Sequence, residues 1–182
     1  MEYIFEKDGV FHPPYKGTAK ITCIGAGGTS SSIILYRTLK SGENLLKGFI
    51  SSDGEDGEVV VKEVELEEKD YPIIVGKATQ NPEATIMHYD YFTLDGFMAD
   101  GVHTAKLGDD GGSTLAFGVT AKGGNKGISK VIREKGEAFS YYSTDYQSKE
   151  NGGKAVVVNS LETSIIMENP KNGKVIIEFK EV

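Results

Sequence analysis

The feature that most constrains this chain is a unit that occurs three times: an apolar, alternating run that stops in a glycine cluster. The first is Thr18-Ala-Lys-Ile-Thr-Cys-Ile-Gly-Ala-Gly-Gly28. Thr18, Lys20 and Thr22 alternate with Ala19, Ile21 and Cys23, the period of a half-buried strand. At Gly25-Ala-Gly-Gly28 the pattern stops and the backbone is freed from side-chain restriction. The second unit is Tyr71-Pro-Ile-Ile-Val-Gly76, and the third is Ser113-Thr-Leu-Ala-Phe-Gly-Val-Thr-Ala-Lys-Gly-Gly124. Glycine makes up 23 of 182 residues, well above the usual ~7%. No chain-long Gly-X-Y period is present, so collagen is excluded. The glycines fall between apolar runs and read as turns.

Further strands follow from alternation and β-branched content: 32–39 (where Ile33, Tyr36 and Leu39 also have helical spacing), 45–50, 58–67, 85–92, 102–107, 137–142 and 154–158, with 128–133 a strand or a helical turn. Residues 3–5 and 10–11 read as short strands within a lead-in, 1–16. The runs 58–67 and 71–75 flank a short charged turn and predict a hairpin. So do 163–167 and 174–180 around Asn172-Gly173. Residues 94–101 read as a loop, 143–153 as a mobile polar loop, and 51–58 as a solvated acidic hairpin tip. The fold class expected is all-β, an antiparallel β-sandwich or jelly-roll-like fold of roughly ten strands. It would occupy residues 17–182 with a subdivision near 128.

Charge and composition narrow the function. A net charge of −7 argues against binding a phosphate backbone, which needs clustered Lys and Arg. The single cysteine excludes an internal disulfide and a Cys-based zinc site. Cys23 sits in an apolar strand pattern and reads as a buried small residue. The first residues lack a basic, apolar leader, so cytoplasmic synthesis without a signal peptide is expected. No apolar run approaches the ~20 residues of a spanning helix.

Candidate chemistry is sparse. His12, His88 and His103 are far apart and lack ligand spacing, although His88 and His103 could converge with Asp90. Asp53, Glu55 and Asp56 could hold calcium but lack the EF-hand pattern and its distal Glu. Asp109 and Asp110 could pair as acid and base, yet adjacent carboxylates in a glycine-rich turn usually face solvent. Gly25-Ala-Gly-Gly28 is followed by no Gly-Lys-Ser/Thr and is no phosphate loop. No cofactor is expected. One positive candidate remains. Tyr89, Tyr91, Tyr141, Tyr142 and Tyr146 lie on strand faces or beside loops, where stacked rings can bind sugars while Asp and Asn take the hydroxyls.

The order of the glycine units also resembles the glycine-rich domains of bacteriophage tail-fibre and minor structural proteins. The matching residues are 19–28, the acidic alternating strand Val59 to Leu66, Tyr71 to Gly76, Thr114 to Gly118 and Ala121 to Gly124. Together these span residues 17–127. The family's long polyglycine runs are missing, and 29–50 and 85–112 look like inserted or replaced material. The resemblance implies a non-catalytic structural or adhesive component of a phage or prophage tail, assembled into a virion. Its partners would be other particle subunits or itself, as a homo-oligomer such as a trimer, and a cell-surface glycan. The alternative is a carbohydrate-binding β-sandwich module, and an enzyme of unknown reaction comes third.

Overall fold

The computed structural model describes residues 1–80, 83–94, 97–133, 139–159 and 163–180. It is all-β and antiparallel, and the described residues hold sixteen strands in five sheets rather than roughly ten strands in two. The additional sheets have one cause. Glycine clusters that read as turns are instead straight passages through the molecule, with strands on both sides of them.

The chain can be followed through those passages. β1 (Glu2–Phe5) and β2 (Gly9–Phe11) are followed by β3 (Gly17–Ile24), which runs into glycine segment 25–30. Beyond it β4 (Ser31–Thr38) and β5 (Asn44–Ser52) form a hairpin, and segment 53–58 leads back to β6 (Val59–Leu66) and β7 (Tyr71–Ile74). The second excursion is β8 (Thr85–Leu94) and β9 (Phe97–Lys106), returning through 107–113 to β10 (Thr114–Ala116) and β11 (Val119–Ala121). The third passes through 122–128 into β12 (Ser129–Arg133) and β13 (Phe139–Ser143). Residues 144–153 then lead to β14 (Lys154–Asn159) and β15 (Thr163–Glu168), and 169–173 returns to β16 (Lys174–Phe179).

Two sheets on the near side form a sandwich, in the orders β1-β16-β3-β6 and β11-β10-β7-β2. The alternation read from the first glycine unit puts Ala19, Ile21 and Cys23 inside, against Val175, Ile177 and Phe179 of β16. Phe11, Ile73, Val75, Ala116, Val119 and Ala121 complete the core from the opposing sheet. Residues 1–16 thus supply one strand to each sheet. Burial raises the Cys23 thiol pKa, which keeps it protonated and unreactive. The β10–β11 turn has positive φ at both Phe117 (53°) and Gly118 (70°), as a two-residue hairpin requires. Edge and tilted ring contacts with Phe11 and Tyr71 help hold Phe117 in that unfavourable conformation.

Two predicted hairpins are not hairpins. β6 pairs with β3, and β7 pairs with β2 and β10, so residues 67–70 step from one sheet to the other. β15 pairs with β14, whereas β16 pairs with β1 and β3, so Asn172-Gly173 belongs to a passage. Both readings rested on adjacency in sequence, and a sandwich can satisfy a short connection by changing sheets. The segment 94–101 is also strand for most of its length.

The passages form a layer of their own. Along the first, Gly25 N–H and Gly28 N–H donate to Glu58 and Glu55 carbonyls, while Ala26 and Thr29 donate to Gly112 and Asp109. Residues three apart therefore face the same neighbour. That is the geometry of a polyproline II-type helix, with about three residues per turn and no internal hydrogen bonds. The remaining bonds close a ring around segment 25–29: 53–58 bonds to 122–127, which bonds to 107–113, then 75–80, 169–173, 151–153 and back to 53–58. Six such segments surround a seventh. At the centre, a methyl on Gly25, Gly27 or Gly28 would land on the carbonyl oxygen of Lys122, Asn151 or Asn125. Gly54 and Gly57 likewise abut the carbonyls of Gly28 and Gly25.

Gly27→Ala is expected to lower stability by about 3 kcal/mol or more, because backbone rather than a flexible side chain must move. Gly48→Ala in β5, where a methyl meets nothing within 4 Å, should change it by less than about 0.5 kcal/mol. Thermal unfolding of both variants checks the contrast.

Candidate contact surface

Four hairpins, β4–β5, β8–β9, β12–β13 and β14–β15, rise from the side of the glycine layer opposite the sandwich. The first two join as the sheet β5-β4-β9-β8. A ring of small hydroxyls roots them. Ser31 Oγ bonds to Ser129 Oγ at 3.0 Å, Ser30 Oγ donates to the Lys154 carbonyl, and the Ser52 and Thr144 hydroxyls pair with each other. Each is small enough to sit against packed backbone and polar enough to satisfy it.

The acidic residues proved to be anchors. Segment 53–58 runs inside the layer and is no solvated tip. The Asp56 carboxylate accepts N–H bonds of 2.7–3.1 Å from Lys149, Glu150, Asn151 and Gly152. Burial would raise its pKa, but these four donors outweigh it and hold the carboxyl below its ordinary value. Asp53 accepts from Ser148 and Ala155, Glu55 from Asn125, Glu58 from Lys122 and Asp110 from Lys126. Of the carboxylates considered for calcium or acid–base work, Asp53, Glu55, Asp56 and Asp110 are thus turned onto backbone donors of neighbouring segments, while Asp109 is exposed. The segment read as mobile, 143–153, is tied down at four successive N–H groups. Among the described residues no group of three or more His, Cys, Asp or Glu could hold a metal ion.

The histidines are separated. His12 Nδ1 lies 2.8 Å from Asp70 on the exposed sandwich surface. His103 is buried beside Leu35 in β4 and opposite Met87, while His88 pairs with Val102, so His88 and His103 are not cross-strand partners. Burial lowers the His103 pKa, so the ring stays neutral. Asp90 and the His88 side chain lie outside the described side chains.

The five tyrosines all fall on this side of the layer. Tyr142, on β13 opposite Lys130, is about half exposed at 49%. Tyr146 follows at the hairpin root, with its hydroxyl 3.5 Å from Asn125 Nδ2. Tyr89 and Tyr91 lie on β8, which β13 approaches along with β5. Their side chains and that of Tyr141 lie outside the described residues. Sequence reasoning missed an apolar face on the same sheet. Phe49, Ile34, Thr104 and Ile86 form one row across all four strands, with Phe49 and Ile86 exposed. Register decides that row, and no single strand reveals it.

No protein-family model matches the chain, and no curated protein sequence matches it. No helix among the described residues is long and apolar enough to cross a membrane.

The titrating groups set an expected acid profile. His103 is neutral when folded, and an unfolded His takes up a proton below pH ~6.5. Stability should therefore fall as pH drops through that value, by at most about 1.4 kcal/mol per pH unit. Asp56, with a lowered pKa, contributes stability that is present above its unfolded value of 3.8 and lost as pH falls through the folded one. His103→Gln should remove the first loss and leave the second, as read from urea midpoints across pH.

Proposed function

We propose that this protein is a non-catalytic adhesive or structural component of a bacteriophage or prophage tail, or of a related particle. The observation that carries the reading is the division of labour along the molecule. A sandwich closes one end, a hydrogen-bonded glycine layer forms the middle, and four hairpins with tyrosines and an apolar row project from the other. A layer whose polar side chains are taken up by its own backbone has little to offer a reaction. It holds hairpin roots at fixed spacings, which is what a contact surface needs. The order of glycine units, similar to that of phage glycine-rich domains, supports the same reading. The chain then works as a homo-oligomer, a trimer in the simplest particle, and the hairpin end meets a cell-surface glycan.

A stand-alone carbohydrate-binding module is the second reading, favoured by the exposed Tyr142 ring and by Tyr146 beside Asn125. Both readings predict glycan binding through aromatic faces. Solution mass separates them: a defined oligomer supports the particle component, and a monomer supports the module.

The double variant Tyr142→Ala, Tyr146→Ala is expected to weaken binding to bacterial-surface glycans at least ~10-fold, since stacked rings contribute about 1–2 kcal/mol. Stability should change by less than about 2 kcal/mol. A glycan array and whole-cell binding measure the first, and thermal unfolding the second. Unchanged binding, or none by the wild type, would count against the surface.

A further inference from the structure

The chain contains two Asn-Gly steps, Asn151-Gly152 and Asn172-Gly173. In an open chain this is the dipeptide most prone to deamidation, because glycine leaves its own amide nitrogen unhindered. That nitrogen attacks Asn Cγ, the N–Cγ bond forms, and the Cγ–Nδ2 bond breaks. Ammonia leaves with the amide proton, and water opens the cyclic imide to aspartate or isoaspartate. Both steps lie in the glycine layer, and both have their reacting groups occupied. Asn151 is buried, its Nδ2 donating to the Gly25 carbonyl at 2.7 Å and its Oδ1 accepting from Gly57 N–H at 2.9 Å. The Gly152 N–H donates to Asp56 Oδ1 at 2.7 Å. Asn172 Oδ1 accepts from Ala78 N–H, and Gly173 N–H donates to the Gly76 carbonyl.

The two sites differ in what guards them. Gly173 N–H is held by a carbonyl of the layer. Gly152 N–H is held by a carboxylate, and attack requires that nitrogen to lose its proton. An amide anion beside a negative carboxylate is disfavoured electrostatically. The segment that carries Asn151 also differs from the rest. Residues 144–153 connect β13 to β14, so this segment enters and leaves the layer on the hairpin side, and Asp56 is its anchor.

We propose that Asn151-Gly152 is a latent deamidation site, held closed by the Asp56 carboxylate, whose conversion irreversibly releases segment 151–153 from the glycine layer. The product carries a carboxylate where Nδ2 donated to the Gly25 carbonyl, so oxygen would face oxygen inside the layer. An isoaspartate would also lengthen the backbone by one atom within a segment whose neighbours bond at every residue. Asn151, Asn172 and Gly173 line one groove with Glu6 and Lys171, which gives water a route once the segment opens.

The test follows each site by peptide mass spectrometry during incubation of the whole chain in warm, mildly alkaline buffer. Wild type is compared folded and in urea, and Asp56→Ser, which removes the carboxylate without creating a further Asn-Gly step before Gly57, is compared folded. In folded wild type, Asn151 should convert more than about tenfold more slowly than in urea. In folded Asp56→Ser, Asn151 should speed up while Asn172 keeps its wild-type rate. Equal Asn151 rates in folded and unfolded wild type would overturn the proposal. So would a folded Asp56→Ser in which Asn151 stays as slow as before. If that variant does not fold, the exchange rate of Gly152 N–H in the wild type decides. Asn151 conversion that tracks Gly152 opening as pH and mild urea are varied supports the gate, and conversion independent of it sinks the proposal.

Discussion

The structure depends on a lattice of backbone hydrogen bonds between extended segments that have no internal bonds of their own. In a sheet, a strand meets two neighbours in one plane. In the glycine layer, rotation of about a third of a turn per residue aims successive N–H groups at different neighbours. The central segment therefore bonds all round itself: Gly25 reaches 53–58, Ala26 reaches 107–113 and Gly27 reaches 169–173. This interior is satisfied rather than apolar. Each bond contributes about 1 kcal/mol net, and each buried group left unpaired would cost more. Glycine follows from the spacing wherever a residue abuts a neighbouring carbonyl, as Gly25, Gly27 and Gly28 do, because there no room is left for a β-carbon.

That lattice explains two features of the rest of the chain. The carboxylates of residues 53–58 gather on N–H groups because segments entering the layer present donors that the ring has not used. Asp56 with its four donors is the fullest case. The buried serines collect at the hairpin roots for a related reason. There the three-fold segments become strands, and small hydroxyls bridge two incompatible bonding patterns.

Some of the candidate surface was legible in the chain. Tyr142 and Tyr146 read as loop-edge aromatics and stand at a hairpin root, one half exposed. The acidic residues were visible too, but their role was not, since no spacing rule tells a metal ligand from a carboxylate that caps a distant backbone. Asp56 and Gly152 are nearly a hundred residues apart. Nor does any one strand show that Phe49 and Ile86 share a face, which depends on pairing across β4 and β9.

Alternation by itself determined the strands and which side of each is buried, as Ala19, Ile21 and Cys23 show, because a side-chain period of two is a local property. The sequence also carried a signal for the layer in Gly54-Glu-Asp-Gly57, Gly108-Asp-Asp-Gly111 and Gly124-Asn-Lys-Gly127. A glycine spacing of three matches one face of a three-fold helix, yet it is equally the composition of turns. Only the tertiary structure decided between them. A three-fold helix has no bonds within itself, so nothing short of its surrounding neighbours can make one stable.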